Sequence, residues 1–328
     1  VSGCATQPPE LAPSDSGPAV SSSVEAAPPR FQVSTDSAAA QEAFDRGLVL
    51  SYAFNHGLAE KAFREAAEAD PALGMAWWGV ALVNGPHINF PMVPEDRALV
   101  AWDALTRAQS LAAGGSAKEQ ALIGALAKRY ASPQPEDRTP LDVAYAEAMR
   151  TVWEQYPGDA DIATLFAEAM MDLRPWDLWT DEGGPQPGTE EILATLERAM
   201  DLDPLHPGAT HLYIHAVEAS TQPERAVPAA DNLRSVAPGL GLGVGHLVHM
   251  PSHIYARVGR WAEAAQANVD AKAADLAYRA QNPQPGFFAL YMMHNRHFFA
   301  WAAAMQGRSE VAIAAAREMV ETVPPDFL

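Results

Sequence analysis

Seven of the ten histidines in this 328-residue chain fall into three short clusters towards its C-terminal end. The clusters are His211 and His215, then His246, His249 and His253, and finally His294 and His297. Within each cluster the spacing is three or four residues, which places the side chains on one face of a helix. Imidazole is the commonest metal ligand in proteins and the side chain that titrates nearest neutral pH. The spacing therefore predicts a metal-binding or acid–base site in this region.

The helices that carry these faces belong to a repeating pattern. Residues 40–71 read as helix, turn, helix and closing proline, with small and bulky residues at set places. These residues are Gly47, Leu50, Ala59, Phe63, Ala66 and Pro71. Later prolines close further units, and Pro204 and Pro238 are 34 residues apart. The pattern resembles the tetratricopeptide repeat (TPR), a helical hairpin of about 34 residues. The resemblance implies an all-α solenoid of about six TPR-like hairpins, coiled as a right-handed superhelix.

The repeat register gives the histidines a common location. Units that start at Pro207, Gly245 and Met293 put the three clusters at equivalent places on three first helices. In the tetratricopeptide repeat those places face the concave groove, so the resemblance implies that the histidines line this groove. Neighbouring helices pack about 8–10 Å apart, so ligands from three such helices can converge on one ion.

The donor set predicts the metal only by class. Imidazole suits zinc, copper, nickel and iron, and Glu218 adds a carboxylate on the face of His211 and His215. Neighbouring methionines, among them Met250 and Met292, favour copper if their sulfurs bind and are core filler otherwise. Copper and zinc both remain open, and only three or four histidines are needed for one ion.

Several other residues are candidates for the groove. The candidate substrate contacts are His87, Trp78, Arg257, Tyr291, Trp301 and Asn295. Arg257 is alternatively a helix C-terminal cation, and Tyr291 a core residue. His56 and His206 fall in turns, where we expect a structural and an exposed residue respectively. The tryptophan-rich segment 174–189 is expected to be either a lid over the groove or a plug over a repeat interface.

The N-terminal residues have a different character. Val1-Ser2-Gly3-Cys4-Ala5 resembles the lipidation site of a bacterial lipoprotein, which implies a lipid anchor at Cys4. The following residues are rich in Pro, Ser and Ala, which predicts a flexible linker. We therefore expect a lipoprotein-type segment over 1–33 and a helical-repeat domain over 34–328. The implied location is the periplasmic side of the cell envelope, anchored by lipid and most consistent with the outer membrane.

Charge and motifs narrow the function classes. Forty-one acidic against 22 basic residues give a net charge of −19, which disfavours nucleic acid as a partner. No apolar run has the length of a membrane span, so contact with the membrane is expected only through the lipid anchor. The segments 211–220 (HLYIHAVEAS) and 246–261 (HLVHMPSHIYARVGRW) resemble a group of histidine-rich bacterial TPR proteins, which implies fold and export but no reaction.

Three functions remain open at this point. The first is an exported protein that binds copper or zinc in its groove, with or without catalysis on a groove-bound substrate. The second is a scaffold that binds a peptide or an envelope protein and needs no metal. The third is a metal carrier or storage protein.

Overall fold

The structure is a computed structural model that describes residues 31–321. Within this range the chain forms fifteen α-helices and no β-strand. The helices are α1 (Ala38–Tyr52), α2 (His56–Ala69), α3 (Gly74–Val83), α4 (Glu95–Leu111), α5 (Ala117–Leu126), α6 (Thr139–Gln155), α7 (Ala160–Met171), α8 (Thr189–Leu202), α9 (Pro207–Glu218), α10 (Val227–Val236), α11 (Gly245–His249), α12 (Pro251–Arg257), α13 (Trp261–Gln281), α14 (Phe288–Met305) and α15 (Ser309–Glu321). The predicted all-α class is confirmed.

Consecutive helices pack against each other as hairpins, from α1 with α2 to α14 with α15. Seven such pairs result when α11 and α12 are taken as one interrupted helix, against about six expected. The interruption falls at Pro251, which lacks the N–H that a continuous helix needs. The three histidine clusters do lie on three successive first helices, which are α9, the α11–α12 pair and α14.

Close packing between the first hairpins depends on Phe63. Its ring fills the space between Gly47 of α1 and Gly79 of α3, and a Cβ at Gly47 would lie 2.7 Å from that ring. A Cβ at Gly79 would come closer still. Gly47 and Phe63 therefore have the packing roles that the repeat pattern predicts for a small and a bulky residue.

The hairpin array closes on itself. Helix α1 packs against α9, and the turn after α1 reaches the C-terminal half, where Asn55 Nδ2 donates to the Gly243 carbonyl at 3.1 Å. On another side, Asn89 Nδ2 donates to Tyr291 Oη at 3.0 Å. The inner side of the array is therefore partly covered by N-terminal segments, and half-open cavities take the place of the expected open groove.

The N-terminal predictions fall largely outside the described part of the chain. Cys4 and most of the predicted linker precede residue 31. Phe31 and Val33 are buried against the helical core, so the packed chain includes at least three residues before the predicted domain boundary at 33/34. No helix within residues 31–321 combines the length and the apolar character that a membrane span requires.

We predict that Gly47→Ala destabilises the fold by about 1–3 kcal/mol, because Phe63 is held between two glycines and cannot move away from the added methyl group. This cost outweighs the gain in helix propensity of about 0.5–1 kcal/mol. Urea unfolding measures the change. Gly124→Ala is the matched control, since a Cβ there meets nothing within 4 Å, and its stability should stay equal or rise. Equal stability of Gly47→Ala and the wild type would contradict the packing role of Phe63.

Candidate metal centre

Six of the seven predicted histidines meet in one buried cluster. They form two sets of three, and within each set one ring nitrogen of each histidine lies within 4.8 Å of the others. Set A is His211, His215 and His246, and set B is His249, His253 and His294. Five of the six are buried and His294 is partly exposed. The predicted convergence of three helices is therefore present, but it produces two adjacent sets rather than one.

In set A the protein orients the rings through their Nδ1 atoms. His211 Nδ1 lies 2.6 Å from the Tyr52 carbonyl oxygen, and His215 Nδ1 lies 2.8 Å from Glu218 Oε1. Both partners are acceptors, so each Nδ1 carries the proton and each Nε2 carries a lone pair. The Nε2 atoms of His211 and His215 and both ring nitrogens of His246 are buried without a hydrogen-bond partner. Set A thus presents unsatisfied imidazole nitrogens to a common space.

In set B the rings of His249 and His253 are also oriented through their Nδ1 atoms, here by Asn268 and Glu218. His249 Nδ1 lies 2.7 Å from Asn268 Oδ1, and Asn268 Nδ2 donates to the Ala264 carbonyl at 2.8 Å, which fixes the amide orientation. His253 Nδ1 lies 2.5 Å from Glu218 Oε2. His249 and His253 therefore both direct an Nε2 lone pair inward.

These inward nitrogens are close together. His249 Nε2 lies 2.8 Å from His253 Nε2, which in turn lies 3.2 Å from His294 Nε2. Two lone pairs at this separation repel unless a proton or a metal cation lies between them. Burial lowers the pKa of His249 well below its ordinary value and that of His294 to about 3. Ligand nitrogens of a tetrahedral ion with bonds of about 2.0–2.1 Å are separated by about 3.3 Å, so the 3.2 Å between His253 and His294 fits a metal. The 2.8 Å between His249 and His253 is shorter and lies in the hydrogen-bond range.

Glu218 connects the two sets, because its two carboxylate oxygens accept from His215 in set A and His253 in set B. Burial opposes ionisation of this carboxyl group, but His253 and His215 hold its pKa well below the ordinary range. The predicted ligand Glu218 forms a third possible metal-binding group with His215 and His253, in which one donor atom of each lies within 4.8 Å of the others. With both oxygens bonded to imidazole, Glu218 also orients these two rings.

The start of α9 is fixed by a buried network beneath set A. His206 Nδ1 accepts from the Ala209 N–H at 3.1 Å, and its Nε2 donates to Asp161 Oδ1 at 3.0 Å. Tyr52 Oη donates to the same carboxylate oxygen at 2.7 Å. The expectation of an exposed His206 is wrong, since the side chain is 1% exposed and caps the helix that carries His211 and His215.

Four predicted residues do not face the cluster. His297 is exposed and Trp301 is 39% exposed, because α14 covers the cluster with the face that carries Tyr291, His294 and Phe298. Asn295 is buried and donates to Asp275 Oδ2 at 3.0 Å. Trp78 is 1% exposed and belongs to the hydrophobic core, which excludes it as a groove contact.

Phe54 is a central residue that the sequence did not reveal. Its ring centroid lies 4.5 Å from that of His211 and 5.5 Å from that of His246. It also contacts His87 and His56, whose rings lie 4.3 Å apart. Its backbone φ is +56°, a left-handed conformation that phenylalanine rarely adopts. The ring of Phe54 thus closes set A and separates it from His87, which is buried with both nitrogens unpartnered.

His56 also departs from expectation. It begins α2 and does not lie in the turn before it, and burial lowers its pKa to about 3. Tyr52 and Asn268, the acceptors for His211 and His249, were likewise not predicted, since both contacts arise only from tertiary packing.

Two cavities adjoin the histidine sets, and Trp176, His215 and Glu218 line both. One, of about 300 Å³, reaches Arg257. The other, of about 480 Å³, is lined further by Asn89, His246, His253, Phe287, Leu290, Tyr291, His294 and Phe298. Trp176 is 57% exposed and its ring stands edge-on to His215 at 5.0 Å, as expected of a lid, whereas Leu178 and Trp179 of the same segment pack against the core.

Comparisons with known proteins add little to this geometry. No family model matches the chain, and no curated protein sequence matches it. Among solved structures, the TPR domain of P58(IPK) matches with 13% identity over 86% of this chain and 83% of that one, at a TM-score of 0.23. With values this low, the helical-hairpin architecture rests on the packing of this protein itself.

We predict that the metal-free protein loses stability as the pH falls from 6.5 towards 3. The unfolded chain protonates its histidines near pH 6.5, whereas folded His56 and His294 remain neutral until about pH 3. The stability that these groups provide is complete above pH 6.5 and is lost as the pH drops, by up to about 1.4 kcal/mol per pH unit for each proton. Chemical unfolding at pH 7.5, 6.5 and 5.5 measures the slope. A free energy of unfolding that stays constant over this range would contradict the burial of neutral imidazoles.

Proposed function

We propose that the protein binds transition metal ions, copper or zinc, in two adjacent three-histidine sites. The single observation that carries the proposal is the convergence of Nε2 atoms whose rings are already oriented by protein acceptors at Nδ1. Metal-binding histidines characteristically donate their other N–H to a carboxylate or carbonyl, which fixes the tautomer that coordinates. His211, His215, His249 and His253 all follow this rule.

The donor atoms of the two histidine sets favour a metal ion of borderline softness. Each set offers three imidazoles and no thiolate, a donor set that suits zinc and copper. Three protein ligands leave a coordination position for an exogenous molecule, as in catalytic zinc sites, and a bound ion would supply Lewis-acid or, for copper, redox chemistry there. The cavities bring that position within reach of a small molecule.

The burial of the histidines distinguishes a resident metal ion from a metal carrier and from a peptide-binding scaffold. A carrier must release its ion, but five of the six histidines are buried and Trp176 lies over the entrance. A peptide-binding scaffold needs an open concave surface, and here Phe54 and Asn89 close the inner side of the array. These features favour a resident ion that acts on a small substrate over carriage or peptide binding.

The stoichiometry of the sites is testable. Untagged protein loaded with zinc and desalted should retain about two equivalents, one for each three-histidine set. His211→Ala in set A and His294→Ala in set B should each reduce this to about one, because two imidazoles do not hold the ion through desalting. Inductively coupled plasma mass spectrometry measures the content.

The matched control is His297→Ala, which changes an exposed histidine of the same helix as His294 and should retain the full content. Equal loss in all three variants, or less than a tenth of an equivalent in the wild type, would contradict the proposal.

Glu218→Gln tests the link between the sets. Loss of the carboxylate that orients His215 and His253 should weaken zinc binding in both sets by about 10–100-fold. Competition with a chromophoric chelator measures the two affinities. The control is Glu224→Gln, an exposed glutamate on the segment after α9 that should leave both unchanged. An effect confined to one set would contradict the bridging role.

A further inference from the structure

We propose that the smaller of the two cavities, beside His215 and Glu218, binds a small aromatic carboxylate, with its ring against Trp176 and Trp179 and its carboxylate on Arg257. The inference rests on the proposed metal sites and names the substrate class that they would serve. It is carried by three features of this cavity, which are an aromatic wall, a guanidinium that no carboxylate of the described residues pairs with, and a limited volume.

The aromatic wall lies in the same cavity as Arg257. Trp176 and Trp179 both line this cavity, together with the apolar side chains of Ile88, Met171 and Leu178. The ring of Trp176 also stands edge-on to His215, at 5.0 Å between ring centroids. Such a wall favours an aromatic ring, because offset and edge-on ring contacts add to the gain from burying apolar area.

Arg257 supplies the anion contact. Its side chain is exposed and lines the smaller cavity beside Glu218. Its Nη2 donates to the Ser220 carbonyl at 2.9 Å, which positions the guanidinium, and no carboxylate of the described residues pairs with it. By contrast, Arg174 in the same cavity is paired with Asp177 at 2.8 Å. A guanidinium with unused donors is a typical site for a ligand carboxylate.

Charge and size agree with this ligand. With two divalent ions bound, the positive charge of the ions and Arg257 exceeds the single negative charge of Glu218, so an anion is favoured. A cavity of about 300 Å³ has the size of a small-molecule site.

Benzoate is the probe for this proposal. Titrated into the full, zinc-loaded protein and followed by calorimetry, it should bind saturably. Arg257→Met should weaken binding at least about tenfold, since a charged hydrogen bond is lost. Benzyl alcohol should bind about tenfold more weakly than benzoate for the same reason, and cyclohexanecarboxylate about threefold or more weakly. Arg308→Met, which changes an exposed arginine outside both cavities, is the matched control and should bind as the wild type.

The zinc content of every sample separates two kinds of failure. Protein that retains no zinc contradicts the proposed function and this inference with it. Protein that retains zinc but does not bind benzoate, or binds it equally after Arg257→Met, overturns this inference alone. If Arg257→Met does not fold, Trp176→Ala takes its place, because removal of the exposed indole should weaken benzoate binding about threefold or more. Unchanged binding in that variant also overturns the inference.

Discussion

Imidazole nitrogens buried at the centre of this protein need partners, and that requirement links the whole inner side of the fold. Four of the clustered rings use their Nδ1–H on acceptors that come from different parts of the chain, namely the carbonyl of Tyr52, the carboxylate of Glu218 and the amide of Asn268. In set B the remaining Nε2 atoms lie next to one another, as close as 2.8 Å, and in set A those of His211 and His215 have no hydrogen-bond partner. A buried polar atom without a partner is costly, so the arrangement favours a proton or a metal cation between the rings.

The fold provides this arrangement through a few close approaches. Gly208 allows α9 to pack on Tyr52, since a Cβ there would lie 2.6 Å from the tyrosine ring. That approach brings the Tyr52 carbonyl to His211 while the Tyr52 hydroxyl joins Asp161 and His206 below. Pro251 interrupts the helix between His249 and His253, and both rings still face the same space. Glu218, at the end of α9, then connects the rings of the two sets.

The hairpins and the histidine faces were predictable because both depend on local periodicity. A spacing of three or four residues fixes a helical face, and prolines fix where the hairpins end. The closure of the array was not predictable from the sequence, and the wrong predictions of the site residues result from this closure. His206 is buried because Asp161 and Tyr52, which are distant in sequence, contact it, and Trp78 belongs to the hydrophobic core. His297 faces outward because α14 packs with the neighbouring stripe. The roles of Phe54, Tyr52 and Asn268 could not be predicted for the same reason. These residues acquire their roles only through contacts with segments that are distant in sequence.

The closure of the hairpin array also determines which ligands can reach the histidine cluster. The cavities under Trp176 give a small molecule access to the histidines. The most direct measurement is a pair of anomalous-difference maps from crystals of zinc-loaded protein, recorded above and below the zinc absorption edge. Two peaks, each about 2.0–2.1 Å from three Nε2 atoms of one histidine set, are the predicted result. Zinc peaks confined to the surface, or a single ion bound through the carboxylate of Glu218, would contradict the two-site arrangement.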